Sequence, residues 1–200
     1  MHEKALQDAL ILWATIDPIG TLAIFSGLTA GMTAARRRRT ALRAIAYAMA
    51  VLLGAILAGQ LLLDAMGIRL SAFQLAGGII LFLFGLQMIF GSLEVDAERE
   101  SDHDLAVFPL AIPATASPGA ILAVILLTDN QIYPVPTQLT TAAITVVILL
   151  VTLLLLLLSA PIMRLLGRGG ASILTRIMGM VLAALSVELI LEALATRPWV

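Results

Sequence analysis

Cysteine is absent from this 200-residue sequence, and charged residues make up only 12% of it. Without cysteine the chain has no disulfide framework, zinc–thiolate site or thiol redox chemistry. Soluble domains carry about 25% charged and roughly 45 to 50% apolar residues, whereas 60% of this sequence is hydrophobic. The composition therefore excludes a disordered chain and argues against a water-soluble monomer.

Long apolar runs account for most of the hydrophobic residues. A membrane-spanning helix needs about 20 mostly apolar residues, so this content sets an upper limit of roughly six spans. We therefore predict an all-α membrane protein with six transmembrane helices, at residues 5–29, 41–63, 68–91, 105–128, 138–160 and 172–194. The first run has no convincing cleavage site and is interpreted as a retained span rather than a signal peptide.

The loops between these runs differ in charge. Cytoplasmic loops accumulate Lys and Arg. The side of the membrane that holds the first, third and fifth loops receives nine basic residues, counting those at the adjoining span ends, and the other side receives three. We therefore predict that both termini lie outside, in the periplasm. The arginine cluster 36–39 is interpreted as a cytoplasmic topology anchor, with a patch for anionic lipid or nucleic acid as the alternative. The acidic segment 92–104 is predicted to be a solvated cytoplasmic loop, with weak cation binding as the alternative.

The two halves of the sequence resemble each other at an offset of about one hundred residues. Residues 17–20 (Asp-Pro-Ile-Gly) correspond to residues 117–119 (Ser-Pro-Gly), and residues 73–89 align with residues 174–190. Each half contains three predicted spans, and because three is odd the second half enters the membrane in the opposite sense. We predict two inverted three-helix repeats, as in many secondary transporters. The predicted units are residues 1–91, the acidic loop 92–104 and residues 105–200.

Proline lies in the middle of the first and fourth predicted spans. Pro18 and Pro118 have no N–H to donate, so both helices should break there. Asp17 and Ser117 are favourable N-cap residues, which indicates that a new helix begins at each proline. Asp17 lies 12 residues from each predicted end of its span, about 18 Å, which is the bilayer midplane. Helices 1 and 4 are therefore predicted to be broken at mid-membrane.

Two half-helices that begin near the midplane direct their positive N-terminal ends toward one point, which suits a carboxylate. Freed carbonyl groups beside them suit an ammonium or a metal cation, so a zwitterionic amino acid fits both. The alternative is that the prolines and glycines only kink spans that pack against their neighbours. The predicted substrate-binding residues are Asp17, Pro18, Gly20, Thr21, Thr115, Ser117, Pro118 and Gly119.

Ionisable and polar side chains at membrane depth are candidates for ion coupling. We predict this role for Asp17, Glu188 and Gln87. The alternatives are that Asp17 only caps its helix and that Glu188 is structural. The glycines of the third span are interpreted as a packing face. No cofactor, metal site or enzymatic activity is expected, since the two histidines are not clustered and no nucleotide-binding or nucleophile motif is present.

Three stretches resemble the MarC family of six-span bacterial inner-membrane proteins, which is related to the LysE-type transporter superfamily. They are residues 17–29, residues 67–81 and residues 108–120. The resemblance implies transport of small neutral amino acids such as glycine and alanine. Three departures from the usual family pattern are Thr21 with the two residues that follow it, Ser117 and Glu188. These changes lie in the proposed site. The identity of the substrate is therefore the property that carries over least well from the family to this chain.

The leading hypothesis is a secondary transporter of small neutral amino acids or similar small metabolites across the inner membrane, coupled to H⁺ or Na⁺. A passive channel and a membrane assembly subunit are the alternatives. The expected partners are a small-molecule substrate and the lipid bilayer, with a homo-oligomer left open and no nucleic acid.

Overall fold

The protein, as a computed structural model, is described for residues 2–91 and 106–195, and no strand occurs within these ranges. The acidic segment 92–104 lies outside the described residues, so the loop predicted there stays a prediction. The helices in chain order are α1 (His2–Ile16), α2 (Pro18–Leu28), α3 (Ala34–Ala65), α4 (Leu70–Phe90), a π-helix (Ala106–Thr115), α5 (Pro118–Leu127), α6 (Val135–Leu157) and α7 (Ser159–Ala195).

Five helical segments are long and apolar enough to cross a membrane. They are Glu3–Leu28, Ala34–Ala65, Leu70–Phe90, Val135–Leu157 and Gly169–Ala195. The fourth predicted span is instead divided between the π-helix and α5, and each part is only 10 residues long. A single helix of that length does not cross the roughly 30 Å hydrocarbon core. The structure is therefore that of an all-α membrane protein with five candidate spans in the described residues.

Two helices extend into predicted loops. Helix α3 begins before the expected residue 41, so the arginine cluster 36–39 lies on its first turns. Arg37 donates a hydrogen bond to the Ser159 hydroxyl, and its guanidinium lies 5.8 Å from the centre of the Phe25 ring. The predicted loop after residue 160 is also largely helical, because α7 begins at Ser159. The helical conformation is interrupted at Gly167, where α7 kinks. The φ of Gly167 is 64°, a left-handed conformation that glycine adopts without steric cost.

The two broken segments occupy the centre of the bundle. Helix α5 is buried along most of its length. It contacts α1, α3 and α4, while α2 contacts α6, α7 and the π-helix. Helix α3 also packs against the π-helix and α6, and α1 packs against α6. The outer helices therefore enclose the residues next to the two breaks.

Helices α4 and α7 form the most extensive helix pair, and glycine lets their backbones approach closely. A Cβ atom added at Gly85 would lie 3.0 Å from both the Ala183 nitrogen and the Gly179 oxygen. A Cβ at Gly78 would lie 2.8 Å from a side-chain carbon of Ile190. The prediction that the glycines of this span form a packing face is confirmed at both positions.

Candidate functional site

The first break lies at Asp17, between α1 and α2. Asp17 has φ 48° and ψ 70°. Within the described ranges it is the single non-glycine residue whose φ is positive. Such a left-handed conformation costs about 1 to 3 kcal/mol at a non-glycine residue. The Asp17 Oδ1 atom accepts a hydrogen bond of 3.0 Å from the Gly20 backbone nitrogen, which caps α2. A side chain at Gly20 would overlap the Asp17 carboxylate, so the cap requires glycine there.

The second break lies at Ser117, between the π-helix and α5. The Ser117 hydroxyl accepts a hydrogen bond of 3.0 Å from the Ala120 backbone nitrogen, and α5 begins at Pro118. The caps that the sequence predicts are thus present at both breaks. They differ in charge, because one is a carboxylate and the other a neutral hydroxyl.

The π-helix before the second break is a feature that the sequence reading missed. In a π-helix each N–H donates to the carbonyl oxygen five residues earlier, rather than four as in an α-helix. This pattern continues to the break, where the Ala116 nitrogen donates to the Ala111 oxygen at 2.8 Å. The Thr115 hydroxyl likewise donates to the Leu110 oxygen at 2.8 Å. The prolines at positions 109 and 113 supply no N–H, which weakens the usual four-residue pattern. π-Helices are rare, and they occur frequently at functional sites.

The two breaks bind each other through reciprocal hydrogen bonds. The Thr21 hydroxyl donates to the Ala114 oxygen at 3.2 Å, and the Ser117 hydroxyl donates to the Thr15 oxygen at 2.9 Å. In a continuous helix the Ala114 oxygen would accept from residue 118, which is proline and has no N–H. A hydroxyl from the opposite break takes that place. We call Thr15, Asp17, Thr21, Ala114 and Ser117 the break junction.

The polar side chains of the break junction are closed off from the surroundings. The exposed fraction is 3% for Asp17 and 1% for both Thr21 and Ser117. Each of the three has a hydrogen-bond partner in the backbone. In this conformation the protein itself satisfies the polar side chains of the break junction.

Not every predicted site residue lies at the break junction. Pro118 is exposed, and Gly119 packs against Leu81 of α4. Gln87 and Glu188 are exposed on α4 and α7, whereas the break junction is buried. The ion-coupling role of Gln87 and Glu188 stays a prediction.

Thr15 and Ala114 belong to the break junction but were not predicted from the sequence. Both act through backbone oxygens, which carry no residue-type signal. A signal nevertheless exists, because residues 14–18 and residues 114–118 share the pattern Ala-Thr-x-x-Pro at an offset of one hundred residues. A comparison of the two halves in that register would have identified Thr15 as the counterpart of Thr115.

A second polar cluster, also missed from the sequence, lies where α1 begins. The Lys4 ammonium forms an ion pair with Asp8, with an N–O distance of 2.7 Å, and Thr141 donates to the same Asp8 oxygen at 2.7 Å. The Lys4 nitrogen lies 4.0 Å from the centre of the Tyr133 ring. Burial raises the pKa of the Tyr133 phenol, as do the carboxylates of Asp8, Glu192 and Asp129. Among the residues that the structure describes, no group of His, Cys, Asp and Glu is arranged to hold a metal ion.

Comparison with known proteins gives a family match over almost the whole chain. The sequence model of the family described as "MarC family integral membrane protein" matches residues 3–197. The chain belongs to the MarC family. The family assignment confirms the resemblance seen in the sequence and identifies the protein as an integral membrane protein.

Two relatives illustrate how fully the MarC-family similarity covers the chain. The "UPF0056 membrane protein" of Archaeoglobus fulgidus is 36% identical over 192 residues, which cover 93% of this chain and 90% of the relative. The "UPF0056 inner membrane protein MarC" of Escherichia coli strain K12 is 32% identical over 202 residues, which cover 92% of this chain and 91% of the relative. No solved structure matches the chain.

Proposed function

We propose that this MarC-family protein is a secondary transporter of small neutral amino acids, such as glycine and alanine, or of similar small metabolites. The observation that carries the proposal is the break junction. Two interrupted helices meet there with a buried carboxylate, two hydroxyl groups and helix N-termini. Interrupted helices of this kind line substrate and ion sites in secondary transporters, where the freed backbone groups bind the cargo.

The unequal caps favour a zwitterion over a simple anion or cation. The N-terminus of α2 is already neutralised by the Asp17 carboxylate, whereas that of α5 is capped only by the Ser117 hydroxyl. A substrate carboxylate therefore suits the α5 end, where the helix dipole favours negative charge. A substrate ammonium suits Asp17. Because an α-amino acid carries both charges, we propose that one substrate molecule bridges the two facing breaks.

Packing between the helices supports an inverted repeat of three helices in each half. If α1 and α2 correspond to the π-helix and α5, then α3 corresponds to α6, and α4 to α7. Under that exchange the contact of α3 with the π-helix becomes the contact of α6 with α1, and α4 with α5 becomes α7 with α2. All four contacts are present. Rocking of one half against the other would then separate the breaks toward one side of the membrane at a time.

Asp17 is the proposed coupling residue. An ionisable group buried at membrane depth is costly unless it is paired or functional, and Asp17 also holds a strained backbone conformation. We propose that Asp17 carries the coupling H⁺ or contributes an oxygen to a Na⁺ site when the junction opens. Glu188 and Gln87 are proposed to assist from an outer vestibule, because they lie near the ends of α7 and α4 rather than at the break junction.

The proposed location is the inner membrane, with both termini on the periplasmic side. One E. coli relative is named as an inner membrane protein, and the arginine cluster 36–39 fits the cytoplasmic side.

The lack of native cysteine allows a direct test of this orientation. A single cysteine at the exposed Ile132 should react with an impermeant maleimide in intact cells, and one at Gly31 should react only after the cells are opened. The reverse pattern would invert the proposed orientation.

Uptake by the purified protein in liposomes tests the transport proposal. We expect saturable uptake of radiolabelled glycine or alanine that an imposed H⁺ or Na⁺ gradient drives. Preloading the liposomes with unlabelled substrate should accelerate it, because a carrier exchanges substrate across the membrane. Uptake that is neither saturable nor stimulated by preloading would indicate a channel. No uptake under any gradient would reject the proposal for these substrates.

A further inference from the structure

Lys4 places its ammonium group in a pocket built by its own helix α1, by the end of α5 and by the segment between α5 and α6. It donates to both carboxylate oxygens of Asp8, at 2.9 and 2.7 Å, and to the Leu127 oxygen at 3.3 Å. The Tyr133 ring covers it at 4.0 Å from the ring centre. A carboxylate, a carbonyl oxygen at the C-terminal end of a helix and an aromatic face are each groups that bind a cation.

The acidic side of the pocket is held in place by a second residue besides Lys4. Asp8 is 2% exposed, and the Thr141 hydroxyl holds one of its oxygens at 2.7 Å, so the carboxylate is fixed from the α6 side. The Lys4 side chain remains 21% exposed. A cavity of about 150 Å³ adjoins these groups, lined by Lys4, Ala5, Asp8, Tyr133, Thr137 and Thr140. An apolar cavity of about 150 Å³ has room for a benzene molecule, so this one accommodates a small amine.

The residue that occupies the pocket is of a type that this chain otherwise does not use. Lys4 is the single lysine among 12 basic residues, and the other 11 are arginine. A lysine ammonium is a compact point charge, whereas the guanidinium is planar and bulky. The nearby carboxylates of Asp129 and Glu192 add negative charge around Tyr133. The surroundings therefore favour a compact cation.

We propose that this pocket is a binding site for the primary ammonium group of a small amine or amino acid, and that Lys4 occupies the pocket until such a ligand displaces it. The site lies near the end of the bundle where α1 begins and α5 ends, so it would receive substrate before the break junction does. This last role rests on the proposed transport function, whereas ammonium binding does not. Displacement exchanges one ammonium for another and leaves the buried Asp8 carboxylate paired throughout.

Chemical labelling of Lys4 in the unmodified protein tests the displacement. The detergent-solubilised protein is treated with an amine-acylating reagent, and labelling of the Lys4 side chain is followed by mass spectrometry of the N-terminal peptide, separately from the terminal amine. If Lys4 leaves the pocket in about a tenth of the molecules, saturating methylammonium should raise its labelling rate about tenfold. Tetramethylammonium at equal ionic strength is the control, because it offers no N–H. A labelling rate that methylammonium leaves unchanged would overturn the proposal.

The variant Lys4→Met tests the same site by direct binding. It removes the competing ammonium and keeps an unbranched apolar side chain, so the apparent Kd for methylammonium should fall about tenfold. In Lys4→Met with Asp8→Asn this binding should be lost. Equal and weak binding in all three proteins would contradict the proposal. If Lys4→Met fails to fold, the labelling experiment still decides. Glycine uptake is measured in parallel on the native protein. If neither the native protein nor Lys4→Met binds methylammonium while glycine uptake is normal, only this site is rejected. If methylammonium binds while glycine uptake is absent, only the transport proposal is rejected.

Discussion

Asp17→Asn should lower glycine or alanine uptake by about 10- to 100-fold, because a hydrogen bond to a charged group is worth about 1.5 to 3 kcal/mol. Asparagine is also a favourable N-cap and tolerates the left-handed conformation, so α2 should still begin at Pro18. The amide lacks the negative charge that we assign to the substrate ammonium and the coupling ion. Uptake should therefore fall while the melting temperature in detergent stays nearly unchanged. Initial uptake rates in liposomes and a thermal melt measure the two effects.

Two further variants separate charge from structure at this position. Asp64→Asn removes a carboxylate from the exposed end of α3, and it should leave uptake at the native rate. Asp17→Ala removes both the charge and the cap, so it should also lower stability, by about 0.5 to 2 kcal/mol for the cap alone. Native uptake by Asp17→Asn would exclude Asp17 from coupling and from binding the ammonium group. If Asp17→Asn and Asp17→Ala lower the melting temperature equally, the loss of uptake reflects a break that has lost its structure rather than the missing charge.

The breaks themselves could be predicted because their causes are local. A proline without an N–H and a preceding cap residue determine where a helix stops and restarts, whatever surrounds them. The structure has α2 beginning at Pro18 and α5 at Pro118, as the sequence indicates. Membrane spans could also be recognised from composition, because a long apolar helix has no stable alternative in lipid.

Contacts between distant segments could not be predicted in the same way. The bond from Thr21 to Ala114 joins residues 93 positions apart, and the bond from Thr141 to Asp8 joins residues 133 positions apart. The partner of each hydroxyl depends on how the helices pack, which a single sequence does not specify. The same applies to Arg37, which the sequence identifies only as part of a topology anchor, although it also donates a hydrogen bond to Ser159 of α7. Lys4 was counted only as a charge on one side of the membrane, and its pocket appears only when three elements meet.

Gly85→Val should be among the most damaging single substitutions outside the break junction. The first carbon of the new side chain would lie 3.0 Å from backbone atoms of Ala183 and Gly179, and backbone cannot move aside as a side chain can. Overpacking of this kind costs about 1 to 3 kcal/mol. Gly54→Val is the matched control, since a Cβ at Gly54 meets no atom within 4 Å and the change in helix propensity is the same. A thermal melt in detergent should show a clear loss for Gly85→Val relative to Gly54→Val.

The double variant Gly85→Val with Gly179→Val distinguishes a shared crossing from two separate defects. A Cβ at Gly179 would lie 2.9 Å from the Gly85 oxygen, so both changes act on one contact between α4 and α7. Once the first valine has separated the helices, the second valine clashes less. The double variant should therefore lose less stability than the sum of the losses of the two single variants. Strict additivity, or equal stability of Gly85→Val and Gly54→Val, would contradict a tight glycine crossing. Because α4 and α7 belong to different proposed repeats, a crossing that resists separation would also require the halves to rock about α4 and α7 rather than part there.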